Sequence, residues 1–415
     1  MNSLLFLAGI FASMSSFHGC ALAPDNLTGY VVTLDTIAVL KTLNGGSTWS
    51  PIPTSASRKF FDVFTLDGEK VWTCGILGEI MYSADGGNTW SMQVTGVSKY
   101  LTRIEFYDSL YGWAVGGDGI VARTRNGGDY WYQYFTPFYL AEFYGVSFVD
   151  TLTGYAVAGW PDNYETAQGY IVRSVNGGIN WELLRQSEGY DEYLDVYAIN
   201  ENVIVVVGGN DETLEPIILR SSDGGNTWDS LTNIPSGAYY LRAVDFVGNK
   251  GWAVGRSGTI LHTEDGGQTW VRQFSPADST LFDVDFSDEF HGIACGYNHI
   301  IYTTDGGQTW NDGVISGIGE SRKSIPAISF SKRIFTDLLV IEISNPSNVD
   351  SRIDITIFDA KGTLVMAWHS LSMDGMRRIV WDGKGKQGKP AESGVYYIKV
   401  EFPGGFLFDK VIKVR

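Results

Sequence analysis

One eight-residue pattern, [Ser/Thr]-x-[Asp/Asn]-Gly-Gly-x-[Thr/Tyr/Asn]-Trp, recurs seven times in this 415-residue chain, its copies 40 to 50 residues apart. Short strand-like segments bounded by glycine surround each copy, and after the last copy the grammar changes to longer alternating strands. These observations predict an all-β chain: a seven-bladed β-propeller followed by a small Ig-like antiparallel β-sandwich.

The repeated unit reads as a hairpin turn. In the copy running from Thr263 to Trp270, Asp265 can accept backbone N–H bonds as an Asx-turn does. Gly266 and Gly267 can take the positive φ that a tight hairpin needs. Trp270 has a large apolar area to bury against the next sheet. The equivalent acid or amide positions are Asn44, Asp85, Asn126, Asn176, Asp223, Asp265 and Asp305. The equivalent indoles are Trp49, Trp90, Trp131, Trp181, Trp228, Trp270 and Trp310. All these roles are structural. The pattern resembles the Asp-box, or bacterial neuraminidase, repeat. That resemblance implies a hairpin between the third and fourth strands of a blade, away from any catalytic face.

Blade 6 is the clearest. Its strands read as Leu241–Phe246 (A), Gly251–Gly255 (B), Gly258–Thr263 (C) and a strand D from Thr269 through Gln273. Gly-Trp-Ala-Val-Gly at 251–255, followed by Gly-Thr-Ile-Leu and the box, resembles the photosystem II stability and assembly factor family. The resemblance covers most of residues 17 to 312. It implies a propeller that shows a basic patch to a protein partner, here with Arg103, Arg123, Arg125, Arg242 and Arg256 available.

The chain opens on an apolar run, Met1 to Ala12, of signal-peptide length. Residues 1–16 read as a leader, with Phe17 to Ala23 as the first strand of blade 1. Two other readings compete. Ala21-Leu22-Ala23 resembles a signal-peptidase site, which moves the end to 23, and Gly19-Cys20 resembles a lipobox. Each reading exports the chain, to the outer-membrane surface or beyond, and no segment is long enough for a membrane span.

Composition narrows the partners. The formal charge is −17, from 47 acids against 30 bases, which disfavours nucleic acid and anionic membranes. Cys74 and Cys295 occupy the slot that Val115 and Val254 fill in other repeats, so they read as core thiols. No disulfide framework, metal-ligand spacing or cofactor motif is visible.

Strand direction alternates within a blade, so the boxes and the A–B turns share one end. Functional loops are then expected at the other. The B–C segments of blade 4 (159–169) and blade 5 (210–215) are expanded there. The link from blade 3 to blade 4 is aromatic from 132 to 144. Tyr132, Tyr134, Tyr139, Trp160 and Tyr164 are therefore candidates for glycan or protein capture. Aligned A strands put Gly19, Asp62, Arg103, Gly145, Asp195, Ala243 and Asp283 at one level of the central channel, with Glu105, Asp245 and Asp285 two residues on. Asp62, Arg103, Asp195 and Asp283 are thus candidate binding residues. The carboxylates suit a glycosidase pair, a cation site or a wet polar lining. The sialidase signature, an arginine triad with Phe/Tyr-Arg-Ile-Pro, is not visible. Binding or scaffolding is the leading reading, a sialidase-like hydrolase the alternative, and an assembly factor of the photosystem II stability factor type, which needs a contiguous basic patch, the second alternative. Convergence of three arginines, a Tyr/Glu pair and an Asp would favour the enzyme.

After a linker at 316–327, residues 328–415 carry Phe358-Asp359, Trp381-Asp382-Gly383 and Ser393-Gly394-Val395-Tyr396-Tyr397 before a closing strand that ends at Arg415. These pieces resemble the type A C-terminal sorting domain of the type IX secretion system. The resemblance implies delivery by that machinery through residues 328–415.

Overall fold

The computed structural model describes residues 16–34, 39–54, 59–138, 141–159, 168–187, 189–316, 327–330, 334–336, 338–344, 351–359, 363–373, 376–385, 388–402 and 405–414. The leader expected at 1–16 therefore lies outside the described residues apart from Ser16, as does the linker apart from Ser316 and Ala327. The chain divides into two compact units, Met1–Gly317 and Ile318–Arg415.

The first unit is a seven-bladed propeller. Its seven antiparallel sheets each take four consecutive strands, A to D from the axis outward. Blade 1 is Phe17–Leu22, Gly29–Thr33, Val39–Thr42 and Thr48–Ile52. The B strands are almost wholly buried, and several are glycine-bounded, as Gly112–Gly116 and Gly292–Gly296 illustrate. Sheets covered on both faces call for such continuous apolar runs.

Every box closes the C–D hairpin with three shared bonds, from the Ser/Thr hydroxyl to the Asp/Asn, from the second glycine N–H to that hydroxyl, and from the N–H four residues beyond the Asp/Asn back to it; the four boxes with Asp add a Thr hydroxyl bond. The Thr263 hydroxyl donates to Asp265 Oδ1 at 2.8 Å and accepts from the Gly267 N–H at 3.1 Å. Asp265 in turn accepts from the Thr269 N–H at 2.9 Å and the Thr269 hydroxyl at 2.7 Å. Gly267 has φ +80°, and a Cβ there would stand 2.9 Å from Val205 of blade 5, so backbone conformation and packing both require glycine. Trp270 packs into a cluster with Val205, Val207 and Leu241, so it reaches the preceding sheet as well as its own, and not the next one. Strand handedness tilts each C–D corner back toward the blade before it. The first glycine of every box also donates to the A–B turn of its blade, as Gly266 N–H does to the Asn249 carbonyl at 2.8 Å. Boxes and A–B turns thus share one end.

The ring closes between blades 7 and 1. Val314–Ile315 leaves blade 7 and pairs in parallel with Thr48 and Trp49, adding a fifth strand to the outer edge of blade 1. The second unit is a sandwich. One sheet orders Ala327–Phe330, Leu339–Ser344 and Met376–Trp381; the other orders Ile334–Phe335, Gly405–Lys413, Gly394–Phe402, Ser351–Asp359 and Leu364–Met373. Leu339, Ile341 and Trp381 from the first sheet meet Ile355, Ile357 and Ile398 from the second in one core.

Candidate functional site

The channel is built by the A strands. At its first level Arg103 meets three aspartates: Nη1 to Asp283 Oδ1 at 2.7 Å, Nη2 to Asp195 Oδ2 at 3.5 Å and Nε to Asp62 Oδ2 at 3.7 Å. Sequence alignment of the strands had placed these four residues at one level, and the structure brings them together. Their second oxygens or second bonds reach the next blade. Asp62 accepts from the Ile104 N–H at 2.8 Å, Asp195 from Val244 at 3.0 Å and Asp283 from Cys20 at 2.8 Å. The level below repeats the device. Glu105 accepts from Phe148, Asp245 from Phe286 at 2.7 Å and Asp285 from Leu22 at 2.6 Å. Ser147 Oγ accepts from Ala198 between blades 4 and 5. Among the described residues, every seam except that between blades 1 and 2 carries such a side-chain-to-amide bond, each contributing about 1.5–3 kcal/mol when the acceptor is charged. Gly19 and Gly145 fall at this level because the next blade's aspartate presses on them. A Cβ on either would come within 2.7 Å or less of Asp62 or Asp195.

Burial raises most of these acids. Asp62 rises to about 7, Asp195 to about 6, Glu105 to about 8 and Asp285 to about 7, while Arg103 and the amide bonds pull the other way. Burial opposes the Arg103 charge, but Asp283, Asp195 and Asp62 together hold it well above its ordinary value. A cavity of about 300 Å³ runs along both levels, lined by Asp62, Arg103, Glu105, Asp245 and Asp285 among others. With their oxygens engaged by amides and Arg103, these carboxylates act as blade-to-blade staples.

The mouth opposite the boxes has a different character. Each A strand carries a bulge just before the first level, as between Phe60 and Asp62 or Leu281 and Asp283. The extra residue is His18, Phe61, Thr102, Tyr144, Leu194, Arg242 or Phe282, and three of these rings pack together at the mouth. His18 stacks on Phe282 at 4.8 Å and meets Phe61 edge-on at 6.1 Å. Phe61 continues to Tyr100, and Phe282 to Tyr297. Burial, then Arg242 and Lys59, lower His18 to about 4, which keeps it neutral and able to stack.

On blade 6, next to these rings, the Arg242 and Arg256 guanidinium groups lie 5.1 Å and 5.3 Å from the Tyr240 ring centroid. The Tyr240 hydroxyl donates to Glu192. Backbone bonds fix the group: the Arg256 N–H donates to the Tyr240 carbonyl at 2.9 Å, and the Tyr240 N–H to the Leu214 carbonyl of the expanded blade 5 segment at 3.0 Å. Arg242 Nε is buried with no hydrogen-bond partner. A Tyr/Glu pair beside two arginines is part of the constellation that would favour a hydrolase. Here burial and then Glu192 raise the Tyr240 hydroxyl, the opposite of activating it as a nucleophile, and both guanidinium groups lie over its ring.

Tyr132 and Tyr134 do not join this mouth. Trp131–Phe135 is itself the outer strand of blade 3, paired with Ile120–Thr124, so these tyrosines are strand residues and not part of a link. Tyr132 is 44% exposed on the rim beside Tyr130 and Arg125, and Tyr134 packs on the core between blades 3 and 4. Tyr139, Trp160 and Tyr164 lie outside the described residues. Sequence reasoning named Arg242 only as one of five scattered arginines and missed His18, Phe61 and Phe282, because strict alternation turns a residue next to a channel position away from the channel. A bulge at the same place in each repeat reverses that.

Comparison with known proteins agrees with this architecture. The family described as photosynthesis system II assembly factor YCF48 matches residues 180–275, and the BNR/Asp-box repeat matches residues 301–312. The photosystem II assembly lipoprotein Ycf48 of Synechococcus sp. (strain CC9902) is 35% identical over 83 residues, which is 20% of this chain and 23% of that protein. The photosystem II stability/assembly factor HCF136 of Oryza sativa subsp. japonica is 40% identical over 60 residues, 13% of this chain and 14% of that protein. These alignments thus span under a quarter of either relative. Among solved structures, one described as YCF48 bound to D1 peptide superposes with a TM-score of 0.56 at 18% identity, covering 71% of this chain and 95% of the other. YCF48 from Cyanidioschyzon merolae gives a TM-score of 0.54 at 18% identity, with 71% and 97% covered. The chain carries a BNR-type propeller that resembles these assembly factors.

Proposed function

We propose that the propeller is a protein-binding module of the assembly-factor kind, which holds an extended, acidic segment of a client protein across the mouth opposite the boxes. The observation that carries this reading is the mouth itself. Aromatic rings of blades 7, 1 and 2 form one stretch of it, and Arg242 and Arg256 beside Tyr240 on the adjoining blade 6 continue it, with the Arg242 Nε left unpaired. A flat ring surface beside guanidinium donors suits a peptide carrying carboxylates and apolar side chains. This cationic spot stands out on a chain of net charge −17, which would repel an acidic client elsewhere. The solved propeller described as bound to a D1 peptide supports peptide capture as a use of this architecture. Export through the leader, delivery of the chain to the cell surface by type IX machinery acting on residues 328–415, and capture of a glycan remain parts of the wider proposal. The separate compact sandwich supports a distinct role for that unit.

The test is an array of unstructured acidic and neutral peptides probed with the full chain. Binding of acidic peptides that Arg242→Glu abolishes, while Thr269→Ala leaves it intact, is the expected result. Equal binding by Arg242→Glu and the parent chain would overturn the proposal.

A further inference from the structure

Two of the three cysteines meet at the seam where the ring closes. Cys20 sits on strand A of blade 1 and Cys295 on strand B of blade 7, Gly292–Gly296. Both are buried in one apolar cluster with Phe17 and Ile293. The Cys295 thiol points across the seam to the Phe17 carbonyl at 3.5 Å, and the Cys20 thiol points back to the Ile293 carbonyl at 3.9 Å. The backbone beside them is clamped, since the Cys20 N–H donates to Asp283, the strand partner of Cys295, at 2.8 Å.

The seam between blades 2 and 3 supplies an internal control. Cys74 there donates to the Leu101 carbonyl at 3.5 Å, matching Cys295 and Phe17. The residue in the place of Cys20 is Ile104, which packs with Cys74 in a purely apolar contact. A thiol in the B-strand slot is thus tolerated as core, but only the closing seam sets a second thiol against it.

We propose that Cys20 and Cys295 form a disulfide that locks blade 1 to blade 7. The two thiols lose two protons and two electrons, one S–S bond forms, and a small-molecule disulfide or a disulfide oxidoreductase accepts the electrons and protons as two thiols. Burial and then the neighbouring sulfur raise the Cys20 thiol, and burial raises that of Cys295, so neither is reactive once the seam is shut. The bond therefore forms as blade 1 docks during folding. It joins the first strand of the ring to its last blade, so the seam can no longer open without reduction. A lipid on Cys20 would be incompatible with this packing, because its side chain lies between the blades.

The experiment refolds the full chain in a glutathione redox buffer, then denatures it and counts thiols by alkylation. One alkylated cysteine, Cys74, with a Cys20–Cys295 linked peptide in a non-reducing digest, is the expected result. Oxidised protein should melt on the order of 5 °C above the reduced form, since the bond closes a very long loop. Cys74→Ser should keep the linked peptide and Cys295→Ser should lose it. Three alkylated cysteines after oxidative refolding, or a bond that includes Cys74, would overturn the proposal. The mapping of the parent chain decides the matter even where a variant fails to fold.

Discussion

Asp265 in a box and Asp195 in the channel both accept backbone N–H groups, and the two regions use that bond for opposite ends. Asp265 bonds within its own turn, to Gln268 and Thr269, in contact with solvent. Although burial opposes it, the Thr269 bonds hold its carboxyl below the usual range. Asp195 bonds to its own neighbour Val196 and, across a seam, to Val244. Burial dominates there and raises it to about 6. The same donor type stabilises the ionised acid where water remains and cannot do so fully where water is excluded. The box end is therefore made of seven self-contained turns. The channel is one connected hub whose charges depend on each other and on a single arginine.

The largest test of that contrast is Arg103→Leu. It leaves Asp62, Asp195 and Asp283 facing one another without a cation, and a loss of roughly 3–5 kcal/mol is expected by urea unfolding. A loss under about 1 kcal/mol would mean the hub is not connected.

The second test uses pH. An acid whose folded pKa is raised stabilises the fold fully below its unfolded value, and this is lost as pH rises through the folded value. For Glu105 that window runs from its ordinary 4.5 to about 8. Glu105→Gln should make the fall in stability across this window shallower by up to ~1.4 kcal/mol per pH unit. For the boxes the sign reverses: Asp265 and Asp305 lend stability above their ordinary value that fades as pH falls through the lowered one. A parallel pH profile in Glu105→Gln and the parent would remove the basis of the comparison.

Smaller effects should follow at the edges. Asp265→Ala breaks only local bonds at an exposed turn, where water replaces them, and should cost about 1 kcal/mol by thermal or urea unfolding, the typical loss when a capping Asp becomes Ala. Tyr132→Ala, on the outer rim, should stay within about 0.5 kcal/mol. Equal losses for Asp265→Ala and Arg103→Leu would erase the distinction between turn and hub.

The boxes were legible in the sequence because their partners lie two to four residues apart, as Thr263, Asp265 and Thr269 show. The level of Asp62, Arg103, Asp195 and Asp283 was legible by aligning repeats, but its role was not. The amides that engage it belong to Ile104, Val244 and Cys20 on other blades. Ring closure by Val314–Ile315 was hidden for the same reason, since its partner strand lies at Thr48–Ile52. The mouth was hidden by local geometry. One bulged residue per blade moves His18, Phe61 and Arg242 to a side that strand alternation assigns elsewhere.

The central claim is that the working face is this mouth, with the boxes as scaffold. Hydrogen–deuterium exchange of the full chain, with and without the acidic peptide that binds it best, addresses that claim most directly. Protection at 59–62, 240–242, 256–258 and 280–283, with the box turns unchanged, is the predicted result. Protection confined to the box turns or to the rim at 130–135 would contradict it.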